Sequence, residues 1–138
     1  MDIVERAKEL AHRAHAGQVD KAGRPYIEHV ARVAAAVSGD PHAEAVGWLH
    51  DVMEDCEWFE PFVFEFPHEI VYSCVQLNRK ASGTEDAYYA GVRSDKVALR
   101  VKLADIADNN DESRLALLDD KTAARLRRKY AKALAALS

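Results

Sequence analysis

The fold class of this chain is decided by residues 26–37, YIEHVARVAAAV. Apolar side chains recur in this stretch at spacings of three and four residues, the period of a helix with one buried face, at Ile27, Val30, Ala31, Ala34 and Val37. Gly39 follows as a stop, and Asp40-Pro41 restarts the chain with a preferred N-cap and a proline at the first helical position. The stretch therefore predicts two consecutive helices.

The same spacing continues along most of the chain and predicts seven helices, at about residues 3–14, 27–37, 41–55, 68–78, 85–92, 95–109 and 120–137. The fifth helix opens on Ser82-Gly83-Thr84-Glu85, which has the form of a capping box. Residues 56–67 place three phenylalanines between Pro61 and Pro67, and we interpret them as an aromatic-rich loop. Because no strand is convincing, the fold class expected is all-α.

Two of these helices have a predicted inward face. In the helix at 95–109 the residues expected to point inward are Leu99, Leu103, Ile106 and Ala107. In the last helix they are Leu126, Tyr130, Ala133 and Leu137, and the basic residues between them are interpreted as a solvated face rather than a surface for an anionic partner.

Composition limits what the protein can be. A chain of 138 residues with 49% hydrophobic residues is expected to form a single domain over 1–138, and the net charge of −4 argues against a nucleic-acid partner. Cys56 and Cys74 are too few for a disulfide scaffold. No run of about 18 apolar residues is present and the start is acidic, so we expect a cytoplasmic protein without a membrane partner.

Ligand-type residues interrupt the apolar helices at three places. These are His29, the pair His50-Asp51, and Asp105. If the helices bring them together, two imidazoles and two carboxylates form a shell that suits Mn²⁺, Fe²⁺ or Zn²⁺ better than Ca²⁺. Such a shell leaves positions for water and a phosphate oxygen, as in a hydrolytic site. The alternative is a buried salt-bridged network, which is costly without an ion.

Two acidic residues follow the His-Asp pair on the same predicted helix. Glu54 lies four residues after His50, one turn along the same face, where it could orient or deprotonate a bound water. Asp55 lies one turn beyond Asp51 and could orient a ligand or pass a proton to the leaving group.

Four blocks in this order resemble the HD-domain metal phosphohydrolases, and among them the hydrolase domain of RelA/SpoT proteins and the small alarmone hydrolases. The blocks are AHAGQ at 14–18, KAGRPYIEH at 21–29, HDVMED at 50–55, and VKLAD at 101–105 with Asn109. The resemblance implies an all-helical fold and a Mn²⁺ held by His29, His50, Asp51 and Asp105. It further implies Glu54 and Asp55 as the catalytic acidic pair, and removal of the 3′-pyrophosphate from guanosine tetraphosphate or pentaphosphate.

The resemblance also points to residues for substrate contact. Asn109 falls where the family places a substrate-site asparagine, and Lys21 lies in its phosphate- and base-facing loop. Arg24, Tyr26 and Lys102 are the further candidates.

The chain departs from the family pattern at several positions. Asp20 replaces a common arginine and is expected to repel a substrate phosphate, Asp108 replaces a residue that is usually not acidic, and Asp111 stands where arginine is common. Guanosine specificity is therefore left open. The rival functions are a nucleotidase acting on 5′-nucleotides or deoxynucleoside triphosphates, and a catalytically idle scaffold that senses a nucleotide. The expected partner is a small nucleotide or phosphate ester, and a homo-oligomer is left open.

Overall fold

Helices form the whole framework of the computed structural model, which describes residues 2–138. Within that range there are ten α-helices, two 3-10 turns (Glu57–Phe59 and Arg79–Ala81), and no strand beyond an isolated bridge between Val19 and Pro25. The all-α prediction is confirmed. The α-helices are α1 Ile3–Ala14, α2 Tyr26–Ala36, α3 Pro41–Leu49, α4 Val52–Asp55, α5 Glu60–Val63, α6 His68–Gln76, α7 Glu85–Ser94, α8 Lys96–Asn109, α9 Glu112–Leu115 and α10 Asp120–Leu137.

Acidic N-caps fix the beginnings of several helices. The side chain of Asp40 accepts a hydrogen bond from the backbone N–H of His42, with Pro41 in the first turn, as the sequence predicts. Asp95 and Asp119 cap α8 and α10 in the same way. These caps explain why the predicted boundaries of both helices agree closely with the observed ones.

Three local predictions were wrong, and one short helix was missed. The helix expected over 41–55 is interrupted at His50-Asp51 and resumes as α4. The expected loop at 56–67 contains a 3-10 turn and α5, because Pro61 sits in a first turn, where its missing N–H costs nothing. Thr84, not Ser82, caps α7 by accepting from the N–H of Ala87. The one-turn helix α9 was not predicted, since four residues are too few to show a period.

The inward face of α8 also differs from the prediction. Ile106 is buried and Leu99 half-buried, as predicted, but Leu103 is 40% exposed and Ala107 is exposed. The other buried residues of α8 are Ala98, Val101 and Asp105. Relative to the prediction, the helix is rotated about its axis so that the carboxylate of Asp105 faces the interior and Leu103 does not. By contrast, the predicted inward residues of α10 are buried or half-buried.

The central helix of the core is α3, which packs against α1, α2 and α8. Its Gly47 has no room for a side chain, because a Cβ at this position would lie 2.9 Å from the Cα of Ala34 in α2. The last helix, α10, covers α7 and α8 from the other side. Across residues 2–138, no helix combines the length and apolar character needed to cross a bilayer.

Candidate metal centre

Four predicted ligands, distant in sequence, converge on one point in the core. His29 comes from α2, His50 from the end of α3, Asp51 from the following turn, and Asp105 from α8. One ligand atom from each lies within 4.8 Å of all the others. Both histidines and Asp105 are buried, and Asp51 is half-buried. The geometry is that of a group that could hold a metal ion.

The ring of His50 shows how the donor set suits a cation. Its Nδ1 donates to the carbonyl oxygen of Gly47 at 2.7 Å, so that in the neutral ring Nε2 carries the lone pair. That Nε2 lies 3.0 Å from Asp51 Oδ2 and 3.4 Å from Asp105 Oδ1, yet it is buried with no hydrogen-bond partner in the described part of the chain. A bare nitrogen facing two carboxylates is unfavourable unless a proton or a metal ion sits among them.

His29 is held on both sides by carboxylates. Its Nε2 lies 2.9 Å from Asp105 Oδ1, and its Nδ1 lies 2.6 Å from Asp108 Oδ2. Asp108 is bound in turn by Arg32 and Arg114. The sequence interpretation treated Asp108 only as a departure from the family and gave no role to Arg114.

The titration behaviour of the centre follows from this crowding. Burial lowers the pKa of both imidazoles, but the carboxylates facing them outweigh it, so that the pKa of His50 lies well above, and that of His29 above, the usual value of 6.5. Burial raises the pKa of Asp105, but Lys102 and the two histidines hold it well below its usual value. Without a metal ion the surrounding carboxylates therefore favour the protonated form of both histidines.

Three residues predicted to contact substrate bind the carboxylates of the centre. The Tyr26 hydroxyl donates to Asp51 Oδ2 at 2.5 Å, and Lys102 Nζ lies 3.1 Å from Asp105 Oδ2. Asn109 Nδ2 donates to Asp105 Oδ1 at 3.2 Å. Their direct contacts position metal-type ligands, although all three also line cavities at the site.

The predicted acidic pair lines a cavity of about 150 Å³ together with Asp51 and Asp105. Glu54 is oriented there because one of its carboxylate oxygens accepts from the backbone N–H of Arg79 at 3.0 Å. Partial burial and the carboxylates of Asp51 and Glu54 raise the pKa of Asp55 to about 6. The structure thus places both residues beside the centre.

The same cavity is also lined by basic residues. Arg79, Lys102 and Lys129 line it, and partial burial and the neighbouring cations lower the pKa of Lys129. Lys129 belongs to α10, whose basic residues were interpreted as a solvated face. That interpretation misses Lys129, whose side chain is exposed overall but borders the cavity.

A second cavity of about 520 Å³ adjoins the first and shares Tyr26, Asn109 and Tyr130 with it. Lys21 and Arg24 line this larger cavity rather than the small one, and Arg24 also pairs with Glu28 at 3.0 Å. No contact joins either residue to the four ligand-type side chains.

The carboxylate of Asp20, which is expected to repel a substrate phosphate, is itself held by three donors. One oxygen of Asp20 accepts from the backbone N–H groups of Ala22 and Arg24, and the other pairs with Arg114 at 3.1 Å. The same guanidinium binds Asp108 at 2.8 Å. Asp20 and Asp108 both depart from the family pattern by adding an acidic residue. Two added carboxylates were a signal in the sequence that a cation such as Arg114 lies between them.

Comparison with known proteins adds a relationship over part of the chain. This chain is similar to GTP pyrophosphokinases. It is 43% identical over 58 residues to the GTP pyrophosphokinase of Streptomyces coelicolor, and 41% identical over 58 residues to that of Streptomyces antibioticus. Each match covers 40% of this chain and 7% of the relative.

A longer match joins the chain to the "Probable GTP pyrophosphokinase" of Mycobacterium leprae. It is 34% identical over 91 residues, which is 61% of this chain and 12% of the relative. The matched segments thus represent only a small part of these curated relatives. No protein-family model matches the chain.

Proposed function

We propose that this chain is a metal-dependent phosphohydrolase of the HD type, related to the hydrolase domain of RelA/SpoT proteins. Its proposed reaction removes the 3′-pyrophosphate from guanosine tetraphosphate, guanosine pentaphosphate or a related nucleotide. The observation that carries the proposal is the approach of His29, His50, Asp51 and Asp105 to within 4.8 Å. The guanine nucleotide in the names of the relatives supports the substrate class.

The four converging side chains are the proposed ligands of a divalent ion, with Mn²⁺ first and Fe²⁺ or Zn²⁺ as substitutes, because mixed nitrogen and oxygen donors suit all three. Such an ion would polarise a phosphate oxygen and lower the pKa of a bound water towards about 7. Tyr26 and Lys102 keep the two ligand carboxylates oriented through their contacts with Asp51 and Asp105.

Glu54 is the proposed acceptor of the proton from the attacking water. The Arg79 N–H binds one of its oxygens, which fixes the carboxylate and leaves the other oxygen for water. Asp55, whose pKa is raised to about 6, holds a proton in an appreciable fraction of molecules near neutral pH. Asp55 is therefore suited to protonate the leaving group.

The two cavities divide the proposed substrate between them. Arg79, Lys102 and Lys129 line the small cavity together with its carboxylates, where they would bind a second phosphate beside the one under attack. The adjoining cavity of about 520 Å³ is large enough for a nucleoside. There Tyr130 and Asn109 would contact the base or sugar, with Lys21 and Arg24 at the edge.

The test is a substrate panel with the purified chain, Mn²⁺ and product identification by chromatography. Guanosine tetraphosphate should yield GDP and pyrophosphate, chelation should abolish turnover, and added Mn²⁺ should restore it. Asp51→Asn should be inactive, whereas Asp86→Asn, which removes one exposed carboxylate from α7, should match wild type.

Other outcomes of the same panel contradict the proposal. Release of phosphate from mononucleotides or deoxynucleoside triphosphates alone would identify a nucleotidase. Formation of guanosine tetraphosphate from GDP and ATP would identify a synthetase. Equilibrium binding of a nucleotide with no turnover of any compound would identify an idle scaffold.

A further inference from the structure

Asp108 lies outside the proposed ligand set, yet it makes the shorter of the two carboxylate contacts to His29. Its Oδ2 is 2.6 Å from Nδ1, on the side of the ring opposite the other ligand atoms. We infer that Asp108 is a positioning residue that fixes the tautomer and orientation of His29 for metal binding, and that Arg32 and Arg114 hold Asp108 in place for this purpose.

The protonation pattern of the contact can be worked out from its partners. An ionised carboxylate only accepts hydrogen bonds, and the Asp108 carboxylate is kept in that form by Arg32 Nε at 2.7 Å and Arg114 Nη1 at 2.8 Å. His29 must therefore donate from Nδ1. When the ring is neutral, its lone pair is then on Nε2, which faces Asp105 and the rest of the ligand set.

The contact between Asp108 and His29 is buried and held by further hydrogen bonds, unlike a surface ion pair. The side chain of Asp108 is 14% exposed and that of His29 is 0% exposed, so neither is free to rotate into water. Arg114, 22% exposed, binds Asp108, the side-chain oxygen of Asn109 at 3.0 Å and Asp20 at 3.1 Å. A ring held in one tautomer loses no free energy in reorienting when the ion binds.

This role depends on the proposed function, because it assumes that His29 binds a metal ion. The direct measurement is the dissociation constant of Mn²⁺, determined by electron paramagnetic resonance of the free ion during titration of the full chain. Asp108→Ala removes the acceptor and should weaken Mn²⁺ binding by about 10- to 100-fold. Asp108→Asn keeps an acceptor oxygen and should recover part of that loss, and the matched control Asp86→Asn should bind as wild type does.

A second readout reports the tautomer itself. In ¹⁵N-histidine-labelled protein loaded with diamagnetic Zn²⁺, His29 should show a protonated Nδ1 and a metal-bound Nε2. In Asp108→Ala the hydrogen-bonded Nδ1 proton should lose its downfield shift. Thermal unfolding of each metal-free variant separates loss of the site from loss of the fold.

The possible failures are distinguishable. A wild-type Nδ1 without a proton, or equal Mn²⁺ affinity in Asp108→Ala and wild type, would overturn the role of Asp108 while leaving a hydrolase intact. A wild-type chain that does not bind Mn²⁺ would overturn both this role and the proposed function. Wild-type binding and the expected Asp108 effects without turnover would contradict only the proposed function.

Discussion

His50 donates a 2.7 Å hydrogen bond from Nδ1 to the carbonyl oxygen of Gly47, a residue of α3 at which an added Cβ would lie 2.9 Å from the Cα of Ala34 in α2. One glycine thus orients the second imidazole of the centre and sets the spacing between the helices that carry both. The ring centroids of His29 and His50 are 5.9 Å apart as a result of this packing. The metal-type geometry is therefore built into the core of the fold.

Enlarging Gly47 should separate the two helices. The added methyl of Gly47→Ala would lie 2.9 Å from a backbone atom of Ala34, and overpacking of this kind costs about 1–3 kcal/mol. Chemical denaturation should show a lower free energy of unfolding. The control Gly39→Ala places its methyl in open space, so an equal loss in both variants would contradict the packing explanation.

The metal-free protein should lose stability as the pH rises above neutrality. The pKa values of His29 and His50 are raised in the folded state, so their contribution is fully present below the unfolded value of 6.5 and is lost as the pH rises through the folded values. In chelator, the Tm should fall as the pH rises above about 6.5, whereas Mn²⁺ affinity should rise because the ligands must release protons.

Two histidine variants separate this effect from general alkaline destabilisation. His50→Gln should flatten the fall in Tm over the same pH range, because it removes one of the two raised groups. His68→Gln, on the exposed surface of α6, should leave the slope as in wild type. A Tm that does not change with pH in chelator would show that the carboxylates do not hold protons on these rings.

The Tyr26 hydroxyl should contribute to metal affinity without contributing much to the fold. Tyr26→Phe keeps the ring, which packs between His15 and His29, and removes the donor to Asp51. Loss of such an outer contact should weaken Mn²⁺ binding by about tenfold or more. Titration calorimetry measures this against Tyr72→Phe, an exposed tyrosine on α6, and equal affinities would exclude a role for the hydroxyl.

Lys129 should affect substrate binding more than the chemical step. Lys129 lines the small cavity, where it is proposed to bind a phosphate of the substrate. Lys129→Met should therefore raise KM for the hydrolysed nucleotide by about tenfold, with a much smaller change in kcat. The control is Lys121→Met, which removes one positive charge from the exposed start of α10. Steady-state kinetics at fixed ionic strength decide the question, and identical KM values would remove Lys129 from the site.

Sequence periodicity predicted the long helices because each buries an apolar stripe of three or more turns. It failed for α8, where Asp105 rather than Leu103 faces the interior. The spacing of apolar residues cannot predict such a face, because ion pairs and the positions of the ligand-type side chains, and not only burial of apolar side chains, determine which side of α8 faces inward. It also missed the break at His50-Asp51, where the turn aims both side chains at the same point.

The candidate site also contains residues that the sequence could predict and residues that it could not. The four ligand-type residues could be predicted because histidine and aspartate are conspicuous on apolar helices and their blocks resemble a known family. Arg114 and Asp108 could not be placed, since an arginine in a short connection and an aspartate near a helix end are usually solvated. Their relation becomes visible only when the loop at 18–25 packs beside the end of α8 and Arg114 joins Asp20 to Asp108.

The most direct test of the metal centre is an anomalous difference map, recorded at the manganese absorption edge from crystals of the full chain grown with Mn²⁺. One strong peak is expected within bonding distance of His29 Nε2, His50 Nε2 and carboxylate oxygens of Asp51 and Asp105. A map with no peak among these four groups, or with manganese bound only elsewhere, would contradict the account.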